Sequence, residues 1–299
     1  MVVFSQVFAL LFFVSLGFAL AKSKLINASH ADTLSKIIVC VFLPANIFKT
    51  FALNFNRDYI FKNYTIIIFA ALSLLVINFI AFLAAKLFSK VKYERDVYEY
   101  SIAIPNSGYM GYPLVEGIGG QAMLLDFMTY AIPNSLYIYL VAFAKLTKRG
   151  FSVKKLLNPP TVTIAIGMFF GILEIPVPDV FANIVKTASG CMGPMAMLMT
   201  GIVLSDFNLK KMALKWKIYP ALLLRLIVIP LGLGGVLSLF ASDTIVKISV
   251  LFYCMPCGLN TVVFPKLVGE DCETGAALSI FSTVASLATI PMICAIFGI

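Results

Sequence analysis

The sequence IPNSGYMGYP at residues 104–113 interrupts an apolar segment with two prolines, two glycines and an asparagine. A second interruption, MPCGLNTVVFP at residues 255–265, follows half a chain later, and Pro256 lies 151 positions after Pro105. A proline inside a helix removes a backbone donor and clashes with the preceding turn, and glycine weakens the helix further. Paired interruptions at matching positions in two halves of a chain therefore predict two helices that are broken at a common buried site.

The rest of the chain is apolar over most of its length. Hydrophobic residues make up 61% of the 299 positions and charged residues 12%, about half the charge of a soluble domain. Ten apolar runs can cross a bilayer, at residues 2–21, 35–52, 63–88, 97–117, 121–144, 159–174, 179–205, 216–241, 246–267 and 273–297. The sequence predicts an all-α polytopic membrane protein with ten transmembrane helices, which are numbered 1 to 10 in chain order.

The first apolar run ends in a small-residue pattern, Ala19-Leu20-Ala21, that resembles a signal-peptidase site. A signal peptide begins with a basic region, and no Lys or Arg precedes Lys22. We therefore expect residues 2–21 to be a retained transmembrane helix.

The positive charge is distributed unevenly along the chain. Of the 23 Lys and Arg residues, 17 fall near the connections after helices 1, 3, 5, 7 and 9, and four fall near the opposite connections. Because Lys and Arg accumulate in cytoplasmic loops, we expect a cell-membrane protein with both termini outside. The net charge of +9 thus orients the chain in the bilayer, and no nucleic-acid partner is implied.

A duplication is the simplest explanation of the proline positions. Pro44 in helix 2 and Pro194 in helix 7 are offset by 150, close to the offset of the two interruptions. Five helices per copy force the second copy to be inverted, which is a common transporter architecture. We predict a first repeat at 1–145, a cytoplasmic linker at 146–158 and a second inverted repeat at 159–299, with helices 4 and 9 broken and crossing.

Each interruption carries small polar residues that suit a ligand with a carboxylate. Half-helix N-termini offer free N–H groups and a partial positive charge, and asparagine amides add neutral donors. The alternative is a pair of kinked helices whose polar groups repair their own backbone. The predicted binding residues in the interruptions are Pro105, Asn106, Ser107, Gly108, Pro256, Gly258, Asn260 and Thr261.

Other polar residues inside the spans are secondary candidates. Asn46 and Asn134 either face the cavity or bond a neighbouring helix. Arg225 is an ionisable residue well inside helix 8, and is either functional or directed to the cytoplasmic face. Glu116 and Asp126 flank the outer turn between helices 4 and 5, where they are either interfacial or carriers of a coupling proton.

The sequence offers no catalytic or metal-binding constellation. Cys254 and Cys257 have redox-motif spacing but lie in a membrane span, and His30 is the one histidine, in a loop. The six cysteines show no disulfide framework. We therefore expect no cofactor, no metal and no enzymatic activity.

The two interruptions resemble those of the auxin efflux carrier family. PNS at 105–107 followed by MGYPL at 110–114 is similar to the family's Pro-Asn-Thr and Met-Gly-x-Pro-Leu pattern. MPCG at 255–258, followed by VF at 263–264, resembles its Pro-x-Gly break, and NP at 158–159 also matches. Two departures are the missing long cytoplasmic loop and Gly108-Tyr109 in place of the plant Leu-Val.

This resemblance implies an elevator-type transporter with a fold similar to that of bile-acid sodium symporters. Helices 1, 2, 6 and 7 would form a scaffold and homodimer interface, and helices 3–5 and 8–10 a moving transport domain. Asn106 would be the crossover asparagine, and Pro105 and Pro256 the crossover prolines. The implied substrates are organic anions: auxin in plants, and malonate, malate or similar carboxylates in bacteria.

The expected function is therefore secondary transport of a small organic anion across the bilayer by alternating access. A sodium-coupled, bile-acid-like symporter is the alternative, although the interruptions lack a carboxylate cluster for that ion. A sensor or a channel also remains open on sequence grounds.

Overall fold

The computed structural model describes residues 2–27, 29–150 and 152–299. Within these ranges the chain forms eleven helices and no strand. They are α1 (Val2–Lys22), α2 (His30–Asn54), α3 (Arg57–Phe88), α4 (Lys92–Ala103), α5 (Ser107–Thr147), α6 (Pro159–Ile172), α7 (Asp179–Ser205), α8 (Ile218–Leu237), α9 (Asp243–Cys254), α10 (Asn260–Lys266) and α11 (Glu273–Ile296). Two short helical turns, Val153–Leu156 and Leu209–Ala213, lie in the connections.

Seven of these helices, α1, α2, α3, α5, α7, α8 and α11, are long and apolar enough to cross a membrane. The 41 residues of α5 would measure about 60 Å if straight, twice the apolar thickness of a bilayer. Gly120 interrupts α5 with φ 66° and ψ −159°, a conformation that favours glycine. The expectation of a polytopic all-helical protein is confirmed, and the arrangement as ten helices in two inverted repeats stays a prediction.

Wide π-helical turns lie just before three prolines in the long helices. The turns Ile38–Phe42, Ser107–Gly111 and Leu224–Val228 precede Pro44, Pro113 and Pro230. A proline frees the carbonyl four residues earlier and clashes with it, and a wider turn removes that clash. At these three prolines the helix therefore continues.

The helices α1, α2, α6 and α7 pack together through glycines and are called the four-helix group. A Cβ atom added at Gly17 of α1 would overlap the carbonyl oxygen of Leu198 on α7. On α6, an added Cβ at Gly171 would lie 2.5 Å from the carbonyl oxygen of Phe55, which directly follows α2. Small residues let membrane helices approach to backbone contact, and this group is accordingly close-packed.

The remaining helices, α3–α5 and α8–α11, pack on one another and are called the seven-helix group. Its interior contains an aromatic cluster in which Phe252 of α9 contacts Phe127 and Tyr130 of α5, with ring centroids 5.4 and 5.1 Å apart. On the outer surface, apolar side chains such as Leu75 and Phe79 of α3 are exposed. Such a surface suits contact with lipid.

Candidate functional site

Both predicted interruptions are breaks in the helical backbone. α4 ends at Ala103 and α5 begins at Ser107, while α9 ends at Cys254 and α10 begins at Asn260. The residues before the two prolines, Ile104 and Met255, are extended, with ψ of 115° and 150°. The cause is local, because the proline ring disfavours the helical conformation of the residue before it.

The two breaks are joined to each other by their backbones. Asn106 N–H donates to the carbonyl of Pro256 at 2.9 Å, and Gly258 N–H donates to the carbonyl of Ile104 at 3.1 Å. Pro105 and Cys257 form an antiparallel bridge between these bonds. Polar backbone groups released by the prolines thus find partners within the protein, as an apolar membrane requires. The expectation that the breaks meet is confirmed.

A cavity of about 100 Å³ lies beside the joined breaks. The breaks contribute Pro105, Asn106, Ser107, Gly108, Gly258, Leu259 and Asn260 to its lining. On the side of the four-helix group it is lined by Val39, Leu43 and Ile47 of α2 and by Pro160, Thr161 and Ile164 of α6. The cavity therefore lies between the two helix groups.

The first break presents its polar side chains to this cavity. Asn106, Ser107 and Gly108 all line it, and a Cβ atom added at Gly108 would meet nothing within 4 Å. Because α5 begins at Ser107, its first backbone N–H groups have no partner within the helix. This helix end therefore offers hydrogen-bond donors and a partial positive charge to a ligand in the cavity.

In the second break, the polar side chains form hydrogen bonds with other groups of the protein. Asn260 Nδ2 donates to the hydroxyl of Tyr100 at 3.0 Å. Thr261 does not line the cavity, and its hydroxyl lies within hydrogen-bond distance of the carbonyls of Gly258, at 3.0 Å, and Gly275, at 3.3 Å. An added Cβ at Gly258 would lie 3.2 Å from Cε1 of Tyr100. The second break is thus fixed against α4 and α11.

Three other predicted binding residues lie next to the cavity without lining it. Pro256 contributes to the site through its backbone carbonyl, which accepts the hydrogen bond from the N–H of Asn106. Asn46 and Asn134 are buried, at 1% and 2% exposure, and each is adjacent in sequence to a lining residue, Ile47 and Ser135 respectively. In the described part of the chain, Oδ1 of both asparagines and Nδ2 of Asn134 lack a hydrogen-bond partner.

The acidic candidates lie outside the cavity lining. Glu116 forms an ion pair with Lys49 of α2, with 2.7 Å between Oε1 and Nζ. Asp126 accepts a hydrogen bond from the hydroxyl of Tyr59 at 2.8 Å. The first contact links the two helix groups, and the second lies within the seven-helix group.

Tyrosines are the main lining residues that the sequence reasoning did not select. Tyr100, Tyr109, Tyr112 and Tyr139 surround the cavity together with Ser135 and Thr161. Tyr109 and Tyr112 lie inside the first interruption, so the motif itself was the available signal. Tyr139 comes from the far half of α5, and only the tertiary fold brings it to the breaks.

Comparison with known proteins gives matches over nearly the whole chain. The sequence model of the family described as membrane transport protein matches twice, at residues 2–153 and at residues 143–294. A protein of Methanothermobacter thermautotrophicus described as an uncharacterized transporter is 23% identical over 295 residues. That alignment covers 96% of this chain and 95% of the relative.

Proposed function

Because the chain belongs to the membrane transport protein family, the auxin efflux carrier family whose motifs it shares, we propose that it is a carrier for small organic anions. The observation that supports this most strongly is the cavity beside the two joined breaks, with Asn106, Ser107 and the start of α5 at its surface. A carboxylate of the malonate or malate type, or an auxin-like acid, is the proposed substrate.

The lining chemistry favours an anion over a metal cation. None of the described residues that line the cavity is charged, and its polar groups are amides, hydroxyls and the amide end of α5. A hard cation would instead require several carboxylate or carbonyl oxygens. The four tyrosines present amphipathic rings that can contact an apolar body attached to the carboxylate. Asn106 and Ser107 would bind the charged end of such a molecule.

The position of the cavity supports alternating access. One side is formed by α2 and α6 of the four-helix group, and the other by the breaks of the seven-helix group. Sliding of the seven-helix group along the four-helix group would carry the cavity across the membrane, which is an elevator motion. In this proposal α1, α2, α6 and α7 form the scaffold and the surface of a homodimer in the cell membrane, with both termini outside.

Asn106→Ala tests the site. We expect uptake of radiolabelled malonate or indole-3-acetate into proteoliposomes to fall roughly 10- to 100-fold, because a hydrogen bond to a charged ligand is lost. The matched control is Asn78→Ala on α3, where the amide donates to the carbonyl of Leu74 at 2.8 Å, away from the cavity. Unchanged uptake by Asn106→Ala would overturn the site.

Transport kinetics of the unsubstituted protein test the carrier mechanism separately. A carrier should show saturable uptake, and labelled substrate should accumulate when unlabelled substrate is preloaded inside the vesicles. Flux that rises without saturation and shows no such counterflow would indicate a channel and overturn the carrier assignment.

A further inference from the structure

Arg225 is a fully buried cation next to the joined breaks. It lies in the wide turn Leu224–Val228 of α8 and has 0% exposure. Its Nη1 donates to the carbonyl of Ile102 at 3.3 Å, and its guanidinium carbon lies 5.8 Å from the ring centroid of Tyr253. Its Nε and Nη2 have no hydrogen-bond partner among the residues that the structure describes.

No carboxylate compensates this charge in the described part of the chain. The seven ion pairs found there do not include Arg225, and the buried carboxylate of Glu99 is paired with Lys145. Arginine keeps its proton in proteins, so its burial without an acid is costly. A buried arginine of this kind therefore calls for another source of compensation.

The carbonyl end of α4 and the ring face of Tyr253 on α9 supply that compensation. Ile102 lies in the last turn of α4, and Tyr253 lies in the last turn of α9. Each helix end carries roughly half a negative charge, which acts within about one turn. Without a nearby cation, these two ends would repel an anion bound at the breaks that follow them.

We propose that Arg225 is the positioning residue that makes the joined breaks selective for anions. It offsets the negative carbonyl end of α4, to which it donates a hydrogen bond, so that the positive amide end of α5 determines the potential in the cavity. The guanidinium is also close enough to act on an anion at Asn106. The carbonyl of Ile102, to which it donates, lies four residues before Asn106, which is at most about 15 Å along the chain. The inference rests on the proposed function, and it assigns the preference of the cavity for anions to Arg225.

The test compares acids with their neutral amides on the purified full-length chain. Binding of malonate and malonamide, and of indole-3-acetate and indole-3-acetamide, is measured by calorimetry for the unsubstituted protein, Arg225→Gln and Arg225→Lys. In Arg225→Gln we expect acid affinity to fall roughly five- to fifteenfold, the effect of one charge 10 to 15 Å away at an effective dielectric constant of about 20. Amide affinity should not change, and Arg225→Lys should retain most of the acid affinity.

The possible outcomes separate the two proposals. If the unsubstituted protein binds neither acid, the proposed function fails. If it binds an acid and Arg225→Gln weakens acid and amide equally, or weakens neither, the role of Arg225 in anion selectivity is overturned. Should Arg225→Gln not fold, Arg225→Met carries the same expectation, because apolar replacements of buried charges are often tolerated.

Discussion

The two helix breaks have similar sequences but use their side chains differently. In the first, Ser107 and Gly108 face the cavity, and an added Cβ at Gly108 meets open space. In the second, the hydroxyl of Thr261 contacts two carbonyls and Gly258 is crowded by Tyr100. The first break thus presents the proposed binding groups, and the second holds the first in place. Substitutions in the first should change transport, and those in the second should change stability.

The largest contrast is expected between Thr261→Val and Ser107→Ala. Thr261→Val keeps the side-chain shape but leaves the carbonyls of Gly258 and Gly275 without the hydroxyl, so the free energy of unfolding should fall by about 2 kcal/mol. Ser107→Ala removes a hydroxyl from the cavity lining and should leave the melting temperature unchanged while weakening uptake. Melting in detergent measures the first effect and proteoliposome uptake the second. Equal destabilisation by both changes would contradict the contrast.

Gly258→Ala and Gly108→Ala form a second pair. The new Cβ at position 258 would lie 3.2 Å from Cε1 of Tyr100, and overpacking of this kind should cost about 1 kcal/mol of stability. At position 108 the Cβ would enter the cavity without a contact, so the melting temperature should not fall but the affinity for substrate should change. Thermal melts with and without malonate or indole-3-acetate distinguish these results. A lower melting temperature for Gly108→Ala would contradict the expectation that the new Cβ atom meets no neighbouring atom.

Tyr100→Phe should have the smallest effect. It removes the hydroxyl that accepts from Asn260 Nδ2, and one neutral hydrogen bond contributes about 0.5–1.5 kcal/mol to stability. Tyr139→Phe is the matched control, because Tyr139 also lines the cavity but its hydroxyl has no hydrogen bond to the described residues. Calorimetric unfolding of both variants should show a lower melting temperature for Tyr100→Phe alone. The reverse order would mean that Tyr139 has the structural role.

The positions of the breaks could be predicted because proline acts locally on the residue before it. Pro105 and Pro256 each follow an extended residue and begin a break. Other prolines had less effect: Pro194 lies inside the continuous helix α7, and Pro265 lies inside α10. Whether a helix breaks at a proline depends on tertiary packing and on whether a wider turn can form, which local sequence does not determine.

The candidate site was predictable only where its residues belong to the interruptions. Asn106 and Ser107 line the cavity because the break turns them toward it, whereas Thr161 comes from another helix and reaches the cavity through tertiary packing. Asn46 does not line the cavity, whereas the next residue, Ile47, does. One position in a helix corresponds to a rotation of about 100°, so hydropathy alone does not fix which neighbour faces a cavity.

The hydrogen bonds between the breaks have a consequence for how the substrate preference could evolve. Both bonds run from a backbone N–H to a backbone carbonyl, so they do not depend on the side chains of Asn106 or Ile104. Residues that face the cavity can therefore be exchanged without removing the connection between the two halves of the chain. Natural divergence or laboratory selection could alter specificity at positions 106–108 while the architecture is inherited intact.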